Sequence, residues 1–224
     1  PLQPSPEALL PAIPPQVISV AASSPQARAG TYGHGFNASV SSSGRTTYSH
    51  SGGFSSGAAT NFVVMPSEDV GIIALTNGAP YGIPEALTAQ FMDLVQYGQI
   101  REDWAALYSH ALGAMNNAEG SLVGKQPPAN AAPGRPLTDY VGRYNSDYWG
   151  PAVVTEHDGQ LQLALGPTNQ TFPLTHWDGD TFSFALTNEN APPGTISKAT
   201  FGGFPRATLN LEYYDTDKLG TFTR

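Results

Sequence analysis

The residues of this chain that offer chemistry are few, and most lie early. His50-Ser51-Gly52-Gly53 puts an imidazole, a hydroxyl and two bare backbone units in consecutive positions. Taken alone, this run reads as a Ser/Gly-rich hairpin with a solvated histidine; only the strands that flank it turn the reading toward a site. Directly after it, Gly53-Phe54-Ser55-Ser56-Gly57 fits a Gly-x-Ser-x-Gly nucleophile turn, which needs a strand before it and a helix after it. Ala58 to Met65 reads as another strand, so that reading is set aside. His34, His110, His157 and His176 show no metal-ligand spacing. Asp178/Asp180 and Asp215/Asp217 are read as turn residues, because aspartate side chains hydrogen-bond their own backbone in turns. The absence of cysteine excludes disulfides, thiol nucleophiles and Cys-based zinc sites. No cofactor and no metal is expected.

The elements that must position these residues begin after a Pro-rich stretch. Pro1, Pro4, Pro6, Pro11, Pro14, Pro15 and Pro25 interrupt every short apolar run, and residues 1–30 are expected to form an irregular arm. Strands are expected over 32–40 and 45–51, with Ser41-Ser42-Ser43-Gly44 as the turn between them. Two more are expected over 61–65 and 70–76, joined by Pro66-Ser67-Glu68-Asp69. Both are apolar on consecutive residues, the pattern of strands covered on two faces. A helix opens at Pro84 and ends at Gly98, with Ile83, Leu87, Phe91, Leu94 and Val95 on one stripe expected to face the sheet. A second helix has Trp104, Leu107, Tyr108, Ala111, Leu112 and Met115 at helical spacing. This helical pair can cover one face of the sheet, and nothing else before residue 118 can cover the other. Residues 31–118 therefore read as part of a domain.

The stretch 119–136, rich in Pro, Gly and Ala, reads as a linker. Beyond it, strands are expected over 140–146, 151–157, 160–165, 171–176, 181–187, 197–203, 208–213 and 219–223. Turn signals such as Asp158-Gly159 and Asp178-Gly179-Asp180 separate them. Alternating strands of this number, with one apolar face, close into a small barrel over 137–224, with aromatic side chains filling it. The fold class expected is α+β: an antiparallel sheet flanked by helices, followed by an eight-stranded antiparallel β-barrel.

Net charge narrows the partners. At −8, with Lys125, Lys198 and Lys218 far apart in the chain, the sequence offers no basic cluster for phosphates, and nucleic acid is excluded. No apolar run reaches the roughly 18 residues that a membrane span needs. Low charge and the lack of cysteine hint at an exported protein, periplasmic or extracellular.

The segment from Tyr32 to Asn77 joins four pieces: Tyr32-Gly33-His34-Gly35-Phe36, His50-Ser51-Gly52-Gly53-Phe54, Asn61-Phe62-Val63-Val64-Met65-Pro66 and Val70 through Leu75-Thr76-Asn77. In this order and spacing it resembles the C-terminal part of the class C β-lactamase, DD-peptidase and esterase family, penicillin-binding-protein-like serine hydrolases. Leu137-Thr138-Asp139-Tyr140-Val141-Gly142-Arg143-Tyr144 resembles the start of the lipocalin-like barrel appended to many of them.

The resemblance implies an acyl-enzyme mechanism. His50 would stand where the family has Lys or His, positioning the substrate and the general-base network. Ser51 would offer a hydroxyl to the substrate, and Gly52 would keep the strand bare. The backbone N–H of Gly53 would be one of two oxyanion donors. His50 and Gly53 are thus the expected catalytic residues, and Ser51 and Gly52 the expected substrate-binding residues. The substrate would be a small amide or ester: a β-lactam, a D-amino-acid peptide or a short ester.

The family's nucleophile lies in Ser-x-x-Lys, yet the residues three before Lys125, Lys198 and Lys218 are Leu122, Thr195 and Asp215. Tyr-x-Asn and Ser-x-Asn, the forms of its second motif, do not occur either. The expected partner is therefore an N-terminal half of the same enzyme, as precursor or separate chain, without which this chain would be silent. The competing reading is a non-catalytic binding or structural module that keeps the hydrolase scaffold and uses the barrel for a ligand or partner.

Overall fold

A computed structural model describes residues 5–11, 13–186, 188–205 and 207–224. The chain divides into two compact units, Pro1–Asn116 and Asn117–Arg224.

The first unit runs α1 (Pro6–Leu9), β1 (Val17–Val20), β2 (Gly30–Tyr32), β3 (Asn37–Val40), β4 (Thr46–Phe54), β5 (Ala58–Met65), β6 (Val70–Thr76), α2 (Ile83–Tyr97) and α3 (Trp104–Gly113). The six strands form one antiparallel meander in sequence order. Its turns follow local chemistry. The β4–β5 turn closes with Gly57 N–H on Phe54 O at 3.0 Å, and Gly57 adopts φ 110°, open to glycine at little cost. α2 ends where Gly98, at φ 72°, donates its N–H to Leu94 O at 2.9 Å. Asp103 caps α3 by accepting from Ala106 N–H at 3.0 Å.

Two differences from the sequence reading concern this unit. The arm expected to be irregular contributes β1 to the sheet, Val17 pairing with Tyr32 and Ile18 with Thr31. Val17-Ile18-Ser19-Val20 carries β-branched residues between proline breaks, enough for one short edge strand. Pro1 to Pro4 and Ala12 of that arm lie outside the described residues. The second difference is the face that α2 buries. Ile83, Leu87 and Leu94 of the expected stripe are exposed, Ile83 by 65%. The buried face is Glu85, Thr88 and Met92, one turn apart, with Ala86 and Asp93. The reason lies opposite: the sheet surface under α2 offers Ser51 and Asn61, so the helix turns polar groups toward it.

Cross-strand register divides the sheet into two faces. Tyr48, Val64 and Gly71 align, as do His50, Phe62 and Ile73, then Gly52, Thr60 and Leu75. The other face carries Ser49 with Val63 and Ile72, Ser51 with Asn61 and Ala74, and Gly53 with Ala59 and Thr76. Helix α2 lies on this second face. On the first, Ile73 and Leu75 are 65% and 68% exposed. Apolar strands built for two covers have one within this unit.

The second unit runs β7 (Gly142–Ser146), β8 (Gly150–His157), β9 (Gln160–Leu165), β10 (Gln170–Asp178), β11 (Thr181–Ala185), β12 (Ile196–Gly202), β13 (Thr208–Leu211) and β14 (Thr221–Thr223). They close into an antiparallel barrel, β14 meeting β7 through Thr223 and Asn145. Thr187, last in the strand expected over 181–187, lies outside the described residues. Alternate side chains point inward: Leu161, Leu163 and Leu165 from β9, Phe182 and Phe184 from β11, Leu209 and Leu211 from β13. Tyr140, fully buried, has its ring centroid 4.7 Å from that of Phe201, tilted to it, and 5.2 Å from that of Phe182, edge-on. Its hydroxyl donates to Asp180 at 2.5 Å and accepts from Arg135 N–H at 2.7 Å. Burial, then this bond to Asp180, pushes the phenol up to about 12. The barrel interior is packed with side chains.

The stretch 119–136 is fastened to the barrel. Glu119 N–H donates to Thr195 Oγ1 at 3.0 Å and its carbonyl accepts Ile196 N–H at 3.0 Å. Ala132 N–H donates to Asp178 at 2.7 Å and its carbonyl accepts Gly179 N–H at 2.8 Å. Composition gives flexibility to such a stretch, but each backbone group that pairs removes some of it. The sheet with its two helices and the closed eight-stranded barrel make an α+β protein.

Candidate active site

Strand β4 carries all four expected site residues and separates them by its pleat. His50 and Gly52 face the uncovered side, Ser51 and Gly53 the α2 side. The side chains of His50 and Ser51 are therefore on opposite faces of the sheet. The His50 ring is exposed and meets the Tyr32 ring edge-on, with centroids 5.9 Å apart. Next to it Phe36 meets Phe62 edge-on, also at 5.9 Å.

The edge of β4 is open at the motif. β3 pairs with Thr46 to Ser49 and stops, while His50 to Phe54 pair, among the described residues, with β5 alone. Phe54 O accepts the Gly57 N–H, so the polar groups of Phe54 point toward β5. Ladder groups alternate in direction along an antiparallel strand. The N–H groups of Gly53 and Ser51 consequently point to the open edge, where an extended substrate or a reacting carbonyl oxygen can meet them.

The two glycines have separate reasons. A Cβ at Gly52 would lie 3.3 Å from Thr60 Oγ1, a tight fit on the side where the strand is bare. A Cβ at Gly53 would lie 2.7 Å from Pro80 Cβ and 3.3 Å from Ala58 O. Buried Pro80 closes the α2 side of this position, and only glycine fits beneath it.

A polar network behind the strand had no motif to announce it. The Ser51 hydroxyl donates to Glu85 Oε1. Asn61 Nδ2 donates to Thr88 Oγ1 at 2.5 Å, and Thr88 Oγ1 donates to the Glu85 carbonyl at 3.0 Å. Glu85, Thr88 and Asn61 are all buried. Burial, then the Glu85 charge, raises the nearby Tyr108 phenol above its ordinary value. The available signal was Glu85 and Thr88 one turn apart on α2, readable only by treating the polar face of the helix as the inner one.

The other candidates separate from this site. Ser55 lies in the hairpin turn between β4 and β5, with no helix following. His34, read from the sequence as a strand residue, sits exposed in the β2–β3 turn. His176 places a ring nitrogen 3.0 Å from Gly179 O. Among the described residues no group of three or more His, Cys, Asp or Glu is arranged to hold a metal ion. No described helix is long and apolar enough to cross a membrane.

Comparison with known proteins matches residues 5–96 to the family model described as Beta-lactamase. Residues 126–215 match a model described as a domain of unknown function (DUF3471). Among solved structures, the crystal structure of the C-terminal domain of penicillin binding protein Rv0907 is 71% identical, over 48% of this chain and 99% of that one, with a TM-score of 0.41. The octameric penicillin-binding protein homologue from Pyrococcus abyssi is 15% identical over 97% of this chain, with a TM-score of 0.35. SurE, solved with D-Leu, is 14% identical over 97% of this chain, with a TM-score of 0.32. The chain spans 42% and 43% of the lengths of these last two. The search of curated proteins finds no match. With almost the whole of one penicillin-binding-protein domain matched at 71% identity, and the Beta-lactamase model matched over residues 5–96, the chain belongs to the β-lactamase and penicillin-binding-protein family.

Proposed function

We propose that this chain is the C-terminal part of a serine hydrolase that works through an acyl-enzyme on a β-lactam, a D-amino-acid peptide or a short ester. The observation that carries the reading is the open edge of His50 to Phe54, with the Gly53 N–H directed outward from it. In this reading the substrate lies along that edge, and the Gly53 N–H holds the oxyanion of the tetrahedral intermediate. Losing one such donor typically costs about 2.7–4 kcal/mol of transition-state stabilisation. His50, on the uncovered face, orients the substrate and the base network. Gly52 leaves room for its approach. Ser51, bonded to Glu85, acts by holding the strand and presents its own N–H to the edge.

The nucleophile and its lysine belong to an N-terminal half, which also covers the bare face carrying Ile73 and Leu75. No metal or cofactor enters this chemistry. An exported setting fits the family and the low charge of the chain. Labelling tests the reading: a fluorophosphonate or fluorescent penicillin applied to the full-length product of the coding region should tag one serine upstream of residue 1, and this chain alone should remain untagged. A full-length product in which no serine is tagged overturns the proposal and favours a non-catalytic module.

A further inference from the structure

One asparagine of the chain is followed by glycine, Asn77-Gly78, at the start of the loop that links β6 to α2. An asparagine carries its side-chain amide carbon within reach of the next residue's backbone nitrogen. The five-membered ring between them closes most readily when that next residue has no side chain to crowd it. Every other asparagine here precedes a residue with a side chain.

The fold leaves both reacting groups free. Asn77 and Gly78 are exposed, and among the described residues neither the Asn77 side chain nor the Gly78 N–H has a hydrogen-bond partner. A Cβ on Gly78 would meet nothing within 4 Å, so space surrounds the nitrogen that must move. Asp178-Gly179, open to a similar ring closure, is held differently, because its Gly179 N–H donates to Ala132 O at 2.8 Å. From residue 79 onward the loop is fixed. Tyr81 N–H donates to Ala79 O at 2.8 Å, and Pro80 O accepts from Asn116 Nδ2 at 3.2 Å. Gly82 lies where a Cβ would come within 2.7 Å of Tyr108 Cβ. Asn77 O, on the other side, lies 3.4 Å from where a Cβ on Gly57 would be. The unpaired groups stand between two held ends.

We propose that Asn77 is a site of spontaneous deamidation. The Gly78 nitrogen, its proton lost to solvent base, attacks Asn77 Cγ, and the side-chain nitrogen leaves as ammonia. Water, the only co-reactant, then opens the cyclic imide. Cleavage of the new C–N bond gives aspartate. Cleavage of the original peptide bond gives isoaspartate, whose main chain runs through Cβ and Cγ and is one carbon longer. That extra carbon must be taken up between Gly57 and Pro80, the residue that closes over Gly53. The isoaspartyl form therefore holds Pro80 and β4 less firmly. The consequence for Gly53 N–H as an oxyanion donor rests on the function proposed above; the modification itself does not.

The test ages the whole chain in mildly alkaline buffer, folded and in urea. A protein isoaspartyl methyltransferase with a labelled methyl donor, followed by peptide mapping, reports where isoaspartate forms. Label should accumulate on the peptide containing residue 77, faster at higher pH and in step with ammonia release. The folded rate should stay within about tenfold of the rate in urea, since the fold withholds neither group. Gly78→Ala adds a methyl group where there is room for one, so it should keep the native circular dichroism and form isoaspartate at least about tenfold more slowly. No label at residue 77, a folded rate about a hundredfold below that in urea, or Gly78→Ala labelled at the native rate overturns the proposal. Asn77→Asp supplies the charge without the extra carbon, and the deamidated fraction should unfold at lower urea than this variant. Equal midpoints overturn the effect on Pro80. These measurements need neither substrate nor upstream polypeptide, so their failure is distinct from a failure to tag a serine.

Discussion

Gly53 answers to two demands at once. Its N–H points to the open edge of β4, and its α-carbon lies under Pro80 with no room for a methyl group. Gly53→Ala is expected to destabilise the first unit by about 1–3 kcal/mol, the usual range for forcing a methyl group into a filled site. Urea denaturation followed through Trp104, with the other two tryptophans replaced by phenylalanine, measures it; an unchanged midpoint would mean that Pro80 yields freely. Tyr140 makes a second prediction at this scale. Its folded pKa, about 12, stands above the ordinary value of 10.0, so the folded state holds its proton more tightly than the unfolded chain does. The stabilisation is therefore complete below about pH 10 and is lost as pH rises through about 12. The midpoint of barrel denaturation should fall over that window, and Tyr140→Phe should remove this part of the pH dependence while lowering stability at neutral pH by about 1–3 kcal/mol, since it leaves Asp180 and Arg135 N–H without the hydroxyl.

Among the elements, β6 is the most exposed to misreading. Val70 to Leu75 reads as a strand covered twice, and Ile73 and Leu75 show which cover is absent from this unit. Replacing both with lysine should reduce binding of the hydrophobic dye ANS severalfold, with a stability change within about 0.5 kcal/mol, as is usual for surface positions. A large loss of stability would instead place them in a core. How far the elements were legible follows from what each signal encodes. Turn chemistry was legible at Asp158-Gly159 and Asp178-Gly179, because aspartate and glycine adopt left-handed or tight backbone conformations at low cost, and Asp158, Gly159 and Gly179 all have positive φ. The position of α2 was legible from Pro84 and Gly98. Its orientation was not: hydrophobic periodicity reports a stripe at Ile83, Leu87 and Leu94, but only the sheet beneath decides which stripe turns inward. The open edge at His50 to Phe54 was likewise hidden, since it depends on where β3 stops. Glu85 escaped notice because a lone acidic residue in the first turn of a helix has an ordinary explanation in the helix dipole.

At the scale of the molecule, the two units carry different amounts of their own core. The barrel buries a continuous set of rings and aliphatic side chains, from Tyr140 and Leu163 to Phe222. The first unit leaves one sheet face and much of α2 exposed. Residues 117–224 alone should therefore fold, with one cooperative thermal transition of about 0.7 kcal/mol enthalpy per residue near 60 °C. Differential scanning calorimetry checks this, and a broad transition with low enthalpy would contradict it.

Strand β4 bears a consequence for fidelity of assembly. Ser49-His50-Ser51-Gly52-Gly53 is small and polar along most of its length, the kind of strand whose alignment with its neighbours is weakly specified by hydrophobic pattern. A slip by one residue would send the imidazole into the Glu85 carboxylate and leave a serine where the ring had been. Two features oppose the slip: Ser51 bonded to Glu85, and Pro80 seated where only a glycine fits. Positions 80 and 85 thus work as alignment pins, deciding from behind the sheet which residue looks out in front. A substitution at either position can change what a substrate encounters without altering any residue the substrate touches.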